Sequence, residues 1–135
     1  MDCELQKYTV IVTPEAEKQI DKIIEYIIGI LKAPQTAHNT YRTLQETIYS
    51  LGKLPLRGTV VRRNPWNNYG IRFLMSNNYD VYYLTDVKNY TVYILAVAYS
   101  RCDRNAVLEN LGYVKDGKIF YDAHVVCEDE KGYNR

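Results

Sequence analysis

The sequence has little cysteine and histidine and lacks the long apolar runs of membrane proteins. Its three cysteines, Cys3, Cys102 and Cys127, lie far apart and form no C-x-x-C pair that would indicate a metal site. The longest apolar stretch, residues 23–31, is interrupted by Glu25 and falls well short of the roughly 20 residues that a membrane-spanning helix requires. The first residues are acidic, whereas a signal peptide starts basic. We therefore expect a cytoplasmic protein with no metal, no cofactor and no membrane partner.

Common catalytic motifs are also missing. The sequence contains no P-loop, no G-x-G-x-x-G, no H-E-x-x-H and no G-x-S-x-G. Nucleotide hydrolysis, hydride transfer, zinc-dependent hydrolysis and triad hydrolysis therefore have no motif to support them. Any reaction would have to use other residue types.

The chain has 135 residues, of which 47% are hydrophobic, and this predicts one compact domain. Residues 1–108 hold 13 Lys and Arg against 10 Asp and Glu, whereas residues 109–135 hold four against six. We therefore divide the chain into a basic domain over 1–111 and an acidic extension over 112–135. An Asp116-Gly117 turn predicts a hairpin in the extension. The extension is interpreted either as a plain hairpin or as a segment that covers the basic surface and inhibits the protein.

The pattern along the basic domain predicts an α+β fold of order β-α-α-β-β-β-α. A strand over residues 8–13 leads to Thr13 and Pro14, which are typical of a helix start. Apolar residues at intervals of three and four predict an amphipathic helical hairpin, broken at Pro34 and ended at Gly52. Alternation over 69–75, 79–85 and 90–99 predicts three antiparallel strands, and a short helix over 103–111 follows. We expect a small antiparallel sheet packed on the helical hairpin.

The densest unbalanced charge lies between residues 53 and 79, which contain no acid. Its five cations are Lys53, Arg57, Arg62, Arg63 and Arg72. The first four fall in a long connection over residues 53–68, and clustered positive charge attracts phosphate backbones. These four residues are predicted to bind RNA. The alternative is a solvated basic loop without a partner.

Arg72, Tyr99 and Arg101 are the candidate catalytic residues. Strict alternation on the last strand places residues 93, 95, 97 and 99 on the sheet face away from the helices, together with Arg72. Guanidinium groups there would stabilise charge on a phosphate, and a tyrosine would donate a proton. This combination predicts a metal-independent endoribonuclease.

Each candidate also has a purely structural interpretation. Tyr99 would then be a packed aromatic residue, and Arg72 would pair with Asp80 or Asp86 on the adjoining strand. Trp66 is interpreted as a structural anchor rather than a base-stacking platform. The two histidines, His38 and His124, are interpreted as surface residues.

Five segments in order resemble the RelE/ParE superfamily of bacterial type II toxin–antitoxin toxins, over residues 8–108. They are residues 8–17 (YTVIVTPEAE), 51–58 (LGKLPLRG), 69–74 (YGIRFL), 78–83 (NYDVYY) and 92–103 (VYILAVAYSRCD). The resemblance implies a plasmid-stabilisation type toxin that a cognate antitoxin neutralises.

The resemblance leaves the activity divided between two branches. RelE-like members are ribosome-dependent mRNA endoribonucleases (mRNA interferases), and ParE-like members poison DNA gyrase. By position, Arg72, Arg101, Lys53 and Arg57 match basic residues of the nuclease branch, while Tyr99 stands where several nuclease members have histidine. We expect cleavage of ribosome-bound mRNA, with a gyrase poison or an inactive relative acting as a binding module as alternatives.

Overall fold

The computed structural model describes residues 7–62 and 70–109, and the backbone of residues 114–115 and 118–119. The strands are β1 (Thr9–Val12), β2 (Thr59–Val60), β3 (Arg72–Ser76), β4 (Tyr79–Asp86), β5 (Thr91–Tyr99), β6 (Val114–Lys115) and β7 (Lys118–Ile119). The helices are α1 (Pro14–Gly29), α2 (Pro34–Ser50) and α3 (Arg104–Glu109).

The main sheet has five strands in the order β1-β5-β4-β3-β2. The predicted antiparallel meander is confirmed in β3, β4 and β5, and so is the α+β fold class. At one edge β1 runs parallel to β5, with Thr9 opposite Thr91. At the other edge, the predicted loop over 53–68 contributes the two-residue strand β2, which pairs with β3.

Thr13 joins the first helix to the sheet. Its hydroxyl accepts a hydrogen bond from the Ala16 N–H at 3.3 Å and donates one to the Ile94 carbonyl at 2.7 Å. Pro14 follows at the first helical position, where its missing N–H leaves no hydrogen bond unmade. The start of α1 is therefore both capped and attached to β5.

The sheet has an apolar cluster on each face. The helical hairpin covers one face, which we call the helix face, and its buried residues are Ala16, Ile20, Leu44, Ile48, Leu51, Val81, Tyr83, Val92, Ile94 and Val97. The opposite face packs against α3, and its buried residues are Val61, Ile71, Tyr82, Leu95, Ala96 and Leu108.

A β-bulge in β5 overturns part of the predicted alternation. Tyr82 is opposite Ala96, but Tyr83 is opposite Ile94, so one residue of β5 has no counterpart on β4. Beyond the bulge, Ala96 and Ala98 lie on the α3 face, while Val97 and Tyr99 lie on the helix face. The prediction that Tyr99 faces away from the helices is therefore wrong, because an extra residue reverses every later side chain.

The predicted hairpin around Asp116-Gly117 is confirmed by the antiparallel pairing of β6 with β7. The rest of the extension, including Cys127 and His124, lies outside the described residues, as do Cys3, Arg63 and Trp66. No helix in the described part of the chain has both the length and the apolar character to span a membrane.

Candidate functional site

The segment Lys53–Arg62, here called the basic loop, carries the predicted RNA-binding cations. Lys53, Arg57 and Arg62 are all exposed, as binding to a large anionic partner requires. Arg63, the fourth predicted cation, lies outside the described residues. The basic loop follows α2 and passes through the edge strand β2.

Hydrogen bonds from sheet side chains hold the backbone of the basic loop. Thr85 Oγ1 donates to the Pro55 carbonyl at 3.1 Å, and the Gly58 N–H donates to the Tyr83 hydroxyl at 2.8 Å. The Arg57 guanidinium is itself oriented, because its Nη1 donates to Ser50 Oγ at 2.9 Å. The first half of the loop is thus anchored to α2 and to β4.

Arg72 is the third sheet residue that holds this loop. It is opposite Tyr83 in the register, so it lies on the helix face and not on the predicted opposite face. Its Nη1 donates to the carbonyls of Leu56 and Gly58, at 3.2 and 2.8 Å. The alternative interpretation, an ion pair of Arg72 with Asp80 or Asp86, is wrong, because the Asp80 carboxylate binds Arg104 Nε at 3.1 Å and the Asp86 carboxylate accepts hydrogen bonds from Asn89. Arg72 is therefore a loop contact.

Two arginines affect the buried hydroxyl of Tyr83. Burial raises the pKa of Tyr83, while the Gly58 N–H and the charges of Arg72 and Arg57 act to lower it. Both arginines adjoin the glycine that binds the Tyr83 hydroxyl, because Arg72 donates to the Gly58 carbonyl and Arg57 precedes Gly58 in the chain. Two oriented cations, Arg57 and Arg72, thus lie at the end of the sheet where β3 begins and β4 ends.

Tyr99 and Arg101 lie at the opposite end of the sheet. Tyr99 is opposite Tyr79, which in turn is opposite Ser76, the last residue of β3. Arg72 begins β3 four residues earlier, a separation of roughly 13 Å along the strand direction. The structure thus brings Arg72 together with Arg57, and it does not bring Arg72 together with Tyr99 or Arg101.

Tyr99 instead lines an open groove between the helical hairpin and the end of the sheet. Its ring packs on Tyr79 at 5.8 Å between centroids, and the pKa of Tyr79 is raised by burial and by Tyr99. The groove has a volume of about 1180 Å³ and is lined by α1, α2, the turn after β3 and the end of β5. Cys102 also borders it. Tyr99 is 43% exposed, so it is a packed residue that remains accessible.

A polar cluster on the α3 face escaped the sequence analysis. Asp80 is 1% exposed, and its Oδ2 binds Arg104 and accepts from the Tyr82 hydroxyl at 3.4 Å. The Arg104 guanidinium also lies 4.0 Å from the centre of the Phe73 ring. The sequence does show an acidic residue, Asp80, within the largely apolar strand β4. It does not show the partner, because Arg104 is 24 residues away.

The described residues contain no group of three or more His, Cys, Asp or Glu side chains that could hold a metal ion. His38 is exposed, which confirms its interpretation as a surface residue.

The family model for the ParE toxin of the type II toxin–antitoxin system, parDE, matches residues 10–103, which is more than half of the chain. The chain belongs to the RelE/ParE family of type II toxins. No curated protein sequence matches the toxin.

Two solved structures place the toxin within this fold. It is 26% identical to a chain of the RelBE2 toxin–antitoxin complex from Mycobacterium tuberculosis, covering 72% of the toxin and 94% of that chain, with a TM-score of 0.52. It is 16% identical to a chain of the chromosomal ParDE system of P. aeruginosa, covering 70% and 97%, with a TM-score of 0.57. The second likeness concerns the fold alone.

Proposed function

We propose that the toxin inhibits translation by binding and cleaving ribosome-bound mRNA through the basic loop. The observation that carries this proposal is the fixed placement of Arg57 and Arg72 at one end of the helix face. Oriented guanidinium groups suit a phosphodiester, because their N–H groups can bind two phosphate oxygens at once. Lys53 and Arg62 are two further exposed cations of the basic loop.

The three candidate catalytic residues, Arg72, Tyr99 and Arg101, have separate roles in this proposal. In the proposed step the neighbouring 2′-hydroxyl loses its proton to water and bonds to phosphorus, while the P–O5′ bond breaks and the 5′-oxygen takes up a proton from water. The products are a 2′,3′-cyclic phosphate and a 5′-hydroxyl, and Arg72 and Arg57 stabilise the negative charge that develops on the phosphate oxygens. Tyr99 and Arg101 contact the RNA or the ribosome at a second place, because the register keeps them at the other end of the sheet. The reaction requires no metal.

DNA gyrase is the second candidate target. The observation that favours it is the separation of Arg72 from Tyr99, since a nuclease needs its proton donor beside the scissile phosphate. A gyrase poison needs a binding surface and no proton donor. An inactive relative that only binds a partner remains the third outcome of the test.

We also propose that a cognate antitoxin binds the toxin in the cytoplasm. The M. tuberculosis relative was solved as a toxin–antitoxin complex, and the P. aeruginosa relative belongs to a ParDE system. An acidic segment would complement the basic loop. Such a partner would relieve toxicity when both proteins are expressed.

Induction of the toxin in bacteria, followed by mapping of new 5′ ends on a translated message, tests the proposal. We expect growth arrest with new 5′ ends, both lost in Arg57→Gln. Arg42→Gln is the matched control, because Arg42 is an exposed arginine on α2 outside the basic loop. Intact messages with trapped gyrase–DNA complexes would favour gyrase, and unaffected growth would favour an inactive relative.

A further inference from the structure

The hydroxyl of Tyr83 is the buried group to which the basic loop is attached. The side chain is completely buried, and its hydroxyl accepts the hydrogen bond from the Gly58 N–H at 2.8 Å. The carbonyl of the same glycine accepts from Arg72 at 2.8 Å. Side chains of two adjacent strands therefore hold both backbone groups of one loop residue.

The close approach of Gly58 to the sheet makes this attachment specific. A Cβ atom added at Gly58 would lie 2.6 Å from the Tyr83 hydroxyl and 2.7 Å from the Phe73 carbonyl oxygen. No larger residue fits between the loop and these two atoms. The path of the loop at Gly58, and so at the preceding Arg57, is fixed by the phenol.

We propose that Tyr83 is the positioning residue of the basic loop: its hydroxyl sets where Arg57 and Arg72 present their guanidinium groups to a phosphate. This inference rests on the proposed function. Tyr83 itself contacts no ligand, because none of its surface is exposed. It acts through the Gly58 N–H on the two arginines.

The physical reason is the cost of an unmade hydrogen bond. Phenylalanine at position 83 would keep the ring and leave the N–H of the buried Gly58 without its acceptor. A buried donor that loses its partner is relieved by movement toward water. Outward movement of Gly58 would displace Arg57 and would break the contact between Arg72 and the Gly58 carbonyl.

The test compares Tyr83→Phe with Tyr82→Phe in the full chain. Tyr82 is the neighbouring residue, is equally buried at 1% exposure and loses the same hydroxyl, but it points to the α3 face. The probe is a fluorescein-labelled single-stranded RNA at constant salt. We expect Tyr83→Phe to bind it about two-fold to ten-fold more weakly, the range expected for one buried hydrogen bond, with Tyr82→Phe unchanged.

A double-mutant cycle tests whether Tyr83 acts through Arg57. If it does, Tyr83→Phe costs less affinity in the Arg57→Gln background than in the unmodified toxin, because only the displacement of Arg72 remains to be felt. Additive losses would overturn the proposal. Equal losses in Tyr83→Phe and Tyr82→Phe would also overturn it, because they would indicate a general loss of stability.

Hydrogen exchange of the Gly58 amide provides a readout that does not depend on RNA. We expect faster exchange in Tyr83→Phe and unchanged exchange in Tyr82→Phe, and unchanged exchange in both would overturn the positioning role.

If the unmodified toxin binds no RNA, the proposed RNA target is wrong, but the exchange result still decides whether Tyr83 positions the loop. If Tyr83→Phe does not fold, Gly58→Ala displaces the loop from the same hydroxyl and is measured in its place.

Discussion

The side chain of Gln19 completes the hydrogen bonding of β5. Its Oε1 accepts a hydrogen bond of 2.7 Å from the backbone N–H of Val97. Strand β1 pairs with β5 only as far as Ile94, so Val97 lies beyond the end of that edge strand. A glutamine on α1 thus takes the place of a missing strand and fixes the helix against the end of the sheet.

Replacement of Gln19 by alanine should destabilise the toxin by about 1–3 kcal/mol, the usual cost of leaving a buried donor without an acceptor. Gln35→Ala is the matched control, because Gln35 makes only an exposed side-chain hydrogen bond to Asn39, four residues along α2. Its loss should cost less than about 0.5 kcal/mol. Urea denaturation measures both values, and equal losses would contradict the assignment.

Two glycines should respond in opposite directions to alanine. At Gly58 the new Cβ meets Tyr83 and the Phe73 carbonyl, and overpacking of this kind costs about 1–3 kcal/mol. At Gly29, the last residue of α1, nothing lies within 4 Å of an added Cβ. Gly29→Ala should therefore stabilise the toxin by up to about 1 kcal/mol. Thermal unfolding of both variants checks the signs, and stabilisation by Gly58→Ala would refute the tight fit.

Local signals made most of the fold predictable. The Thr13-Pro14 start, the apolar spacing of both helices and the alternation of three strands depend on neighbours within a few residues. The parallel pairing of β1 with β5 joins residues about 80 positions apart and left no local signal. The bulge near Leu95 was equally invisible, because the sequence there shows no break in its apolar run.

The candidate site was predictable in composition and not in arrangement. Excess charge identified Arg57 and Arg72, but nothing in the sequence indicated that Arg72 binds two loop carbonyls. The role of Tyr83 could not be singled out among 14 tyrosines. Its importance arises from contact with Gly58, 25 residues away, which only the folded chain creates.

Alkaline pH should destabilise the toxin through its buried phenols. Burial and the neighbouring Asp80 raise the pKa of Tyr82 above its ordinary value of 10.0. Above about pH 10 the unfolded chain releases this proton while the folded chain retains it, so stability falls as pH rises toward the folded pKa, by up to about 1.4 kcal/mol per pH unit. In Tyr82→Phe the free energy of unfolding should fall less steeply above about pH 10. Near neutral pH its dependence on pH should be the same as in the unmodified protein. An equally steep fall in the variant would contradict the assignment.

The Asp80–Arg104 pair should behave as a coupled unit. Arg104→Met leaves the buried Asp80 carboxylate without its cation and should cost about 1–3 kcal/mol. Addition of Asp80→Asn should recover part of this loss, because the uncompensated charge is then removed. Chemical denaturation of the two single variants and the double variant gives the coupling, and strictly additive costs would show that the two side chains act independently.

Arg72 and Tyr99 should act independently in the cell. They lie on one face of the sheet but at opposite ends, roughly 13 Å apart along the strands, and Arg72 is held by the carbonyls of the basic loop. Effects of residues more than about 10 Å apart that share no partner usually add. The measurement is the inducer concentration that halves the growth rate, and each variant raises it by some factor. We therefore expect the factor in the double variant to equal the product of the factors for Arg72→Gln and for Tyr99→Phe, which is additivity as free energies. A double variant no weaker than Arg72→Gln alone would instead mean that both residues serve one reaction step. That result would require the sheet ends to approach each other on the target, and it would favour a single nuclease centre over two separate binding contacts.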